Sequence, residues 1–187
     1  ICEIAAKNAE VSIDKYLKTH DDAILELIAE YFSLSHVPYV IEAFDNSHLF
    51  GEATVGAMVR WSHGAWDKDG YRRMHLSAKN DYDQMREQLT ARALRFDKLS
   101  PPDLWVIDGG EALLNLALEI LASSGANVDV IAISKEKVDA KAHRAKGGAR
   151  DKIYASSGVF TLPTGDRRLQ FFQRLRDEAH RFAITFH

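Results

Sequence analysis

The alternation of apolar and polar positions divides the chain into a helical opening, a meander of strands, and an alternating tail. From about Glu3 to Ser35, Ile13, Leu17, Ile24, Leu27, Ile28, Tyr31 and Phe32 recur at helical spacing, with Asp21 or Asp22 suited to cap a second helix. Pro38 ends that pattern, and the apolar run from Tyr39 to Phe44 is short enough for a buried strand. Segments 53–61 and 70–76 follow across a Gly- and Asp-containing turn, as antiparallel neighbours require.

Beyond them the grammar changes. Tyr82, Met85, Leu89 and Leu94 predict a helix over 81–94, 104–107 a strand stopped by Asp108-Gly109-Gly110, 111–122 a helix, and 128–133 a fifth strand. A loop and short hairpin are expected within 135–165, then a final helix over about 166–181 whose stripe of Leu169, Phe172, Leu175 and Ala179 leaves His180 at its margin. Three consecutive strands followed by alternating helices and strands predict an α/β fold: a mixed five-stranded sheet flanked by helices, with a helical N-terminal leader. The expected division is a leader or connector over 1–36 and one domain over 37–187.

Composition changes this picture little. The chain has 187 residues, 46% of them hydrophobic, enough for one core. No apolar run is long enough for a membrane helix, and the single cysteine, Cys2, has no internal partner, so a cytoplasmic protein without a membrane partner is expected. The chain begins at Ile1 without a signal-like segment and reads as a piece of something longer. Charge is more informative. Residues 134–187 hold 12 Lys and Arg against 6 Asp and Glu, while the first 133 hold 12 against 21, within a net charge of −3. An acidic region that attracts cations beside a basic one that attracts phosphates suits a nucleic-acid enzyme.

The candidate chemistry lies at strand ends. Asp45 closes the first strand and Asp108 the fourth. If those strands are parallel neighbours, the carboxylates meet at one edge of the sheet, where hard oxygen ligands suit Mg²⁺ or Mn²⁺. Taken singly, each aspartate is equally explained as a turn residue, and His180 as a solvated border residue. Glu42, three residues before Asp45, points to the other face, and Glu178 is expected at the surface. Arg72, Arg73, Lys135, Lys137, Lys141, Arg144, Lys146 and Arg150 are candidate phosphate neutralisers. Trp61, Trp66 and Trp105 read as packing residues rather than base platforms.

Five segments carry a resemblance: Ile41-Glu-Ala-Phe-Asp-Asn-Ser-His48, Tyr71-Arg-Arg73, Asp81-Tyr-Asp-Gln-Met-Arg86, Val106-Ile-Asp-Gly-Gly110 and Leu175-Arg-Asp-Glu-Ala-His-Arg-Phe-Ala-Ile184. In this order they resemble the catalytic half of the UvrC family, the nuclease component of the bacterial excinuclease, over about 37–187. The resemblance implies a ribonuclease H-like domain that cuts DNA on the 5′ side of a lesion with a divalent metal. The family's Asp-Asp-His set maps onto Asp45, Asp108 and His180 as catalytic residues and metal ligands. Damaged double-stranded DNA is the implied substrate and UvrB, bound to DNA, the implied partner of the parent protein; a monomer is expected. Glu111 departs from the family's usual lysine after Asp-Gly-Gly. Two rivals stand beside this reading: another ribonuclease H-like nuclease, resolvase-like, which shares the fold class but lacks these motif strings, and a non-catalytic module docking DNA or a repair partner.

Overall fold

A computed structural model describes residues 22–49, 53–135 and 150–185. Residues 22–31 are helical (α1). They precede β1 (Val40–Leu49), β2 (Ala53–Ser62), β3 (Ala65–Trp66) and β4 (Arg72–Leu76). Then come α2 (Asp81–Ala93), β5 (Leu104–Asp108), α3 (Glu111–Ser124), β6 (Asp129–Lys135), β7 (Asp151–Ala155), β8 (Gly158–Thr161) and α4 (Arg167–Ile184).

All eight strands join one sheet in the order β3-β2-β1-β5-β6-β7-β8, with β4 also paired to β2. The pairs β1–β5 and β5–β6 are parallel, and the others antiparallel. The five expected strands are all present. The sheet is wider than five because β3 forms a two-residue rung on the end of β2 and the hairpin β7–β8 adds to the free edge of β6. Ladder pairing of that hairpin satisfies backbone groups that an open edge would leave to water.

Each face of the sheet buries its own core. On one side Ile41, Ala43, Leu104, Val106, Ile131 and Ile133 pack against Leu169, Phe172, Leu175 and Ala179 of α4. On the other, Phe44, Trp105, Ile107 and Ala132 pack against Met85 and Leu89 of α2 and Leu114, Leu116, Ala117 and Leu121 of α3. Alternation along β1, β5 and β6 therefore decides which helix a side chain meets. The described part of the leader is no appendage: Leu25, Ile28 and Phe32 are buried within the α4-side core, and Phe32 packs edge-on against Phe172. The leader's first residues, 1–21, lie outside the described residues.

The helix caps follow from composition. Asn80 accepts from the Asp83 amide to open α2, Asp166 accepts from the Arg168 amide to open α4, and Gly125 closes α3 in the left-handed region at φ 74°. The buried face of α2 is more polar than its apolar spacing suggests. Gln84, Gln88 and Arg92 lie inside beside Met85 and Leu89, whereas Tyr82 and Leu94 are exposed. Trp61 and Trp105 are fully buried and Trp66 packs on the core, as packing residues do. Among the described residues no helix is long and apolar enough to cross a membrane.

Candidate active site

Three strands place polar residues on the α4 face: Asp108 and Lys135 end β5 and β6, whereas Asp45 does not close the first strand as expected, because β1 runs on to Leu49 by pairing with β2. Asp45 follows Ile41 and Ala43 by alternation, Asp108 follows Leu104 and Val106, and Lys135 follows Ile131 and Ile133. The parallel register of β1 on β5 ends at Phe44 opposite Ile107, so Asp45 and Asp108 are the next residues on adjacent strands. From there β1 continues against β2 alone, while β5 stops. The carboxyl ends of parallel strands, where a sheet opens in this way, are the usual place for a ligand in α/β folds.

The turn that follows Asp108 is tight. The Gly109 amide donates to the Ile133 carbonyl at 2.9 Å, and a Cβ at Gly109 would lie 2.3 Å from Leu113 Cδ1. A larger residue at 109 would have to displace the Leu113 side chain where α3 starts behind the carboxylate. Glu111 occupies the first turn of α3, exposed, where a negative side chain favours the helix N-terminus.

Helix α4 supplies the other wall. His180 Nδ1 lies 2.9 Å from Asp45 Oδ2. A carboxylate only accepts, so Nδ1 donates this hydrogen bond, and Nε2 is the ring nitrogen turned from Asp45. Asp45 is 6% exposed, and the His180 contact is its carboxylate's one hydrogen bond among the described residues. Asp108 keeps an open side, yet protein crowded around its carboxyl raises its pKa, and the neighbouring Asp45 carboxylate raises it further. Arg176, His180 and Lys135 oppose that shift. Arg176 stands one helical turn before His180 and is held in place by Asp151 at the start of β7 at 3.2 Å.

Two carboxylates poor in donors, repelling each other at a strand end, fit a hard divalent cation. They provide two oxygen ligands. Among the described residues no three acidic, histidine or cysteine side chains converge as a cage, so other positions would fall to water or substrate oxygens. His180 meets Asp45 through Nδ1 and also acts electrostatically on Asp108.

The candidate phosphate contacts are scattered. Lys135 stands at the end of β6, within electrostatic reach of Asp108. Arg72 and Arg73 are successive residues of β4 and so face opposite ways. Arg73 turns to α4, donating to the Phe182 carbonyl at 3.2 Å with its guanidinium 3.7 Å from the Phe182 ring centre. Arg72 donates to the carbonyls of Asp69 and Tyr71. Arg150 is exposed before β7. Lys137, Lys141, Arg144 and Lys146 lie outside the described residues.

Glu178 is less superficial than its helical position suggests. It is half-buried, accepts from Tyr71 Oη at 3.0 Å and pairs with Arg181. The Arg181 hydrogen bonds hold its pKa below the usual carboxylate range, while burial and then Glu178 push the Tyr71 phenol up. Tyr71, Glu178, Arg73 and Phe182 together fix α4 against β4.

Sequence reading missed Arg176, whose signal was its spacing of four from His180. It also missed the partners of Glu42. This fully buried carboxylate accepts from Arg92 Nε at 2.8 Å, Arg92 Nη2 at 2.9 Å and Trp105 Nε1 at 3.2 Å, and pairs with Arg60.

Residues 29–184 match the family model described as the UvrC RNase H endonuclease domain. The chain is 63% identical over its whole length to the UvrABC system protein C of Campylobacter jejuni subsp. jejuni serotype O:6, and 54% identical to that of Helicobacter pylori strain J99. It spans 31% and 32% of the length of these relatives. Among solved structures, an endonuclease V of Ciona intestinalis, in complex with a 23mer DNA containing an inosine followed by a ribo-adenosine, aligns over 92% of this chain and 96% of its own. The TM-score is 0.50 and the identity 13%, a likeness of fold. The fold is accordingly that of the ribonuclease H-like endonucleases, and the chain belongs to the UvrC family, whose RNase H endonuclease domain it carries.

Proposed function

We propose that this domain is a metal-dependent endodeoxyribonuclease of nucleotide excision repair, hydrolysing a phosphodiester on the 5′ side of a lesion in the damaged strand. The observation that carries the reading is the meeting of Asp45 and Asp108 on one face of the sheet, where the parallel pairing of β1 with β5 ends, with His180 on Asp45.

Asp45 and Asp108 would hold Mg²⁺ or Mn²⁺, which when bound supplies Lewis acidity at the scissile phosphate and a more acidic water. Each residue has a separable task. His180, donating through Nδ1, orients Asp45 and in its neutral form leaves Nε2 able to take a proton. Lys135 and Arg176 place positive charge beside Asp108, where an incoming phosphate needs neutralising. With Arg72, Arg73 and Arg150, and the lysines and arginine at 137, 141, 144 and 146, they would contact backbone rather than bases. Such contacts carry no sequence information, in keeping with a target defined by damage. The corresponding setting is a cytoplasmic monomer whose parent protein meets UvrB on DNA.

The test is nicking of supercoiled plasmid by the chain with Mg²⁺ or Mn²⁺, with DNA binding measured in parallel. Asp45→Asn and Asp108→Asn should each lower nicking by more than ~10²-fold with binding retained. Nicking that survives both substitutions would overturn the assignment.

A further inference from the structure

On the sheet face opposite the carboxylates, a cleft of about 350 Å³ opens between β2, β4 and α2. Its floor is apolar, formed by Phe44, Met58 and Met74, and Arg72 and Arg95 reach it from exposed positions. Arg92 also lines it, but its guanidinium is spent on Glu42 and on the carbonyls of Leu99 and Ser100. Arg95 has no side-chain partner among the described residues, and Arg72 uses only Nη1.

Of the other lining residues, one is informative. Gln88 is 3% exposed, and its Nε2 donates to the Ala57 carbonyl at 3.0 Å. Its Oε1 is buried with no donor among the described residues. The amide lies where a side chain of Gly56 would be, since a Cβ there would stand 2.8 Å from Gln88 Cδ. Gly56 in turn is the cross-strand partner of Asn46, whose Oδ1 is also buried without a donor, as is Gln84 Oε1 one turn before Gln88. All the donor-less buried side-chain oxygens among the described residues therefore gather on this one face. An unmet buried acceptor is costly to the fold, and a ligand donor can recover that cost.

We infer that this cleft is a nucleotide subsite. It takes one unpaired base bearing an exocyclic amino group, with the Gln88 Oε1 accepting from that amino group, the Phe44, Met58 and Met74 side chains against the base, and Arg72 and Arg95 on its phosphate. Base recognition by apolar contact and hydrogen bonds to an exposed edge, with guanidinium on the backbone, is how unstacked nucleotides are held. Adenine, cytosine and guanine carry such an amino group, and thymine does not. The inference rests on the reading that DNA is the substrate, and would have the cut strand or its complement splay one nucleotide onto the α2 face.

The chain contains three methionines, of which Met58 and Met74 line the cleft while Met85 sits in the α2-side core outside the lining. Methyl-labelled methionine NMR can thus report on the cleft with an internal control. Titration with dAMP or dCMP, without divalent cation and also in the Asp45→Asn protein, should shift the Met58 and Met74 methyls saturably and leave Met85 in place. The affinity for dTMP should be at least ~5-fold lower, and inorganic phosphate alone should not shift them. Arg95→Ala, at an exposed position, should weaken dAMP by ~5-fold or more, and Gln88→Leu should erase the preference over dTMP. Shifts equal for dTMP and dAMP, shifts given by phosphate alone, or none with any nucleotide would overturn the inference. Because no cleavage is read, loss of this result leaves the nuclease assignment standing, and failure of nicking leaves this result intact.

Discussion

Glu42 and Asp45 stand three residues apart on β1, each buried, on opposite faces of the same sheet. Glu42 is surrounded by donors: two guanidiniums and an indole meet its two oxygens. Asp45 has one, from His180, and faces a second carboxylate instead. A carboxylate whose lone pairs are filled by protein cations is a fixed strut, with nothing left to offer a ligand. A carboxylate placed beside another, short of donors, gains most from an external cation. Degree of burial does not separate the two, and donor count does.

Four perturbations sharpen or break that contrast. The largest effect belongs to the strut. Glu42→Gln leaves Arg92 a buried cation without a counter-charge and Arg60 with only the more exposed Asp67, and should cost ~3–5 kcal/mol of stability in denaturant unfolding. A loss below about 1 kcal/mol would show the cluster to be dispensable. Next, Asp45→Asn and Asp108→Asn should remove about 10²-fold or more of the nicking rate, equivalent to ~2.7 kcal/mol of barrier, while the folded state survives.

The pH dependence is subtler and has a definite sign. Because the folded-state pKa of Asp108 is raised, ionising it disfavours the fold, so this group destabilises increasingly as pH rises from its ordinary value of 3.8 through the folded value. Asp108→Asn should therefore raise the melting temperature at neutral pH without metal, and the gain should vanish well below pH 3.8. Added Mg²⁺ or Mn²⁺ should stabilise the wild-type chain at neutral pH more than the variant. Equal responses of the two in calorimetry would deny the carboxylate pair its cation. The smallest effect is expected from His180→Ala: a loss of nicking of roughly 10- to 100-fold, typical of a group that orients a ligand, with ~1 kcal/mol or less of stability because its ring is largely exposed. Loss as deep as that of Asp45→Asn would make His180 a direct participant.

Much of this was legible in the residues. The apolar runs ending in Asp45 and Asp108 located both carboxylates, since a strand's period of two and its stop signals are local properties. The stripe on α4 placed His180 at its border for the same reason. Glu42 illustrates the opposite case. Its alternation away from Asp45 was readable, but its partners were not, because Arg60 and Arg92 approach through β2 and α2 from distant parts of the chain. The polar inner face of α2 was hidden likewise. Gln88 is buried because Gly56 leaves room for its amide, and no window of α2 contains that fact.

The sequence by itself determined the strands and helices, the alternation that sends Glu42 and Asp45 to opposite faces, and the family to which the chain belongs, because periodicity and motif order are written along the chain. Only the tertiary structure decided that β1 and β5 run side by side so that two carboxylates meet, that His180 holds one of them, that the hairpin β7–β8 brings Asp151 to Arg176, and that unmet oxygens gather behind the sheet. Each is a relation between residues far apart in sequence, set by how layers pack and by which donors burial leaves within reach, and none is encoded in any local pattern.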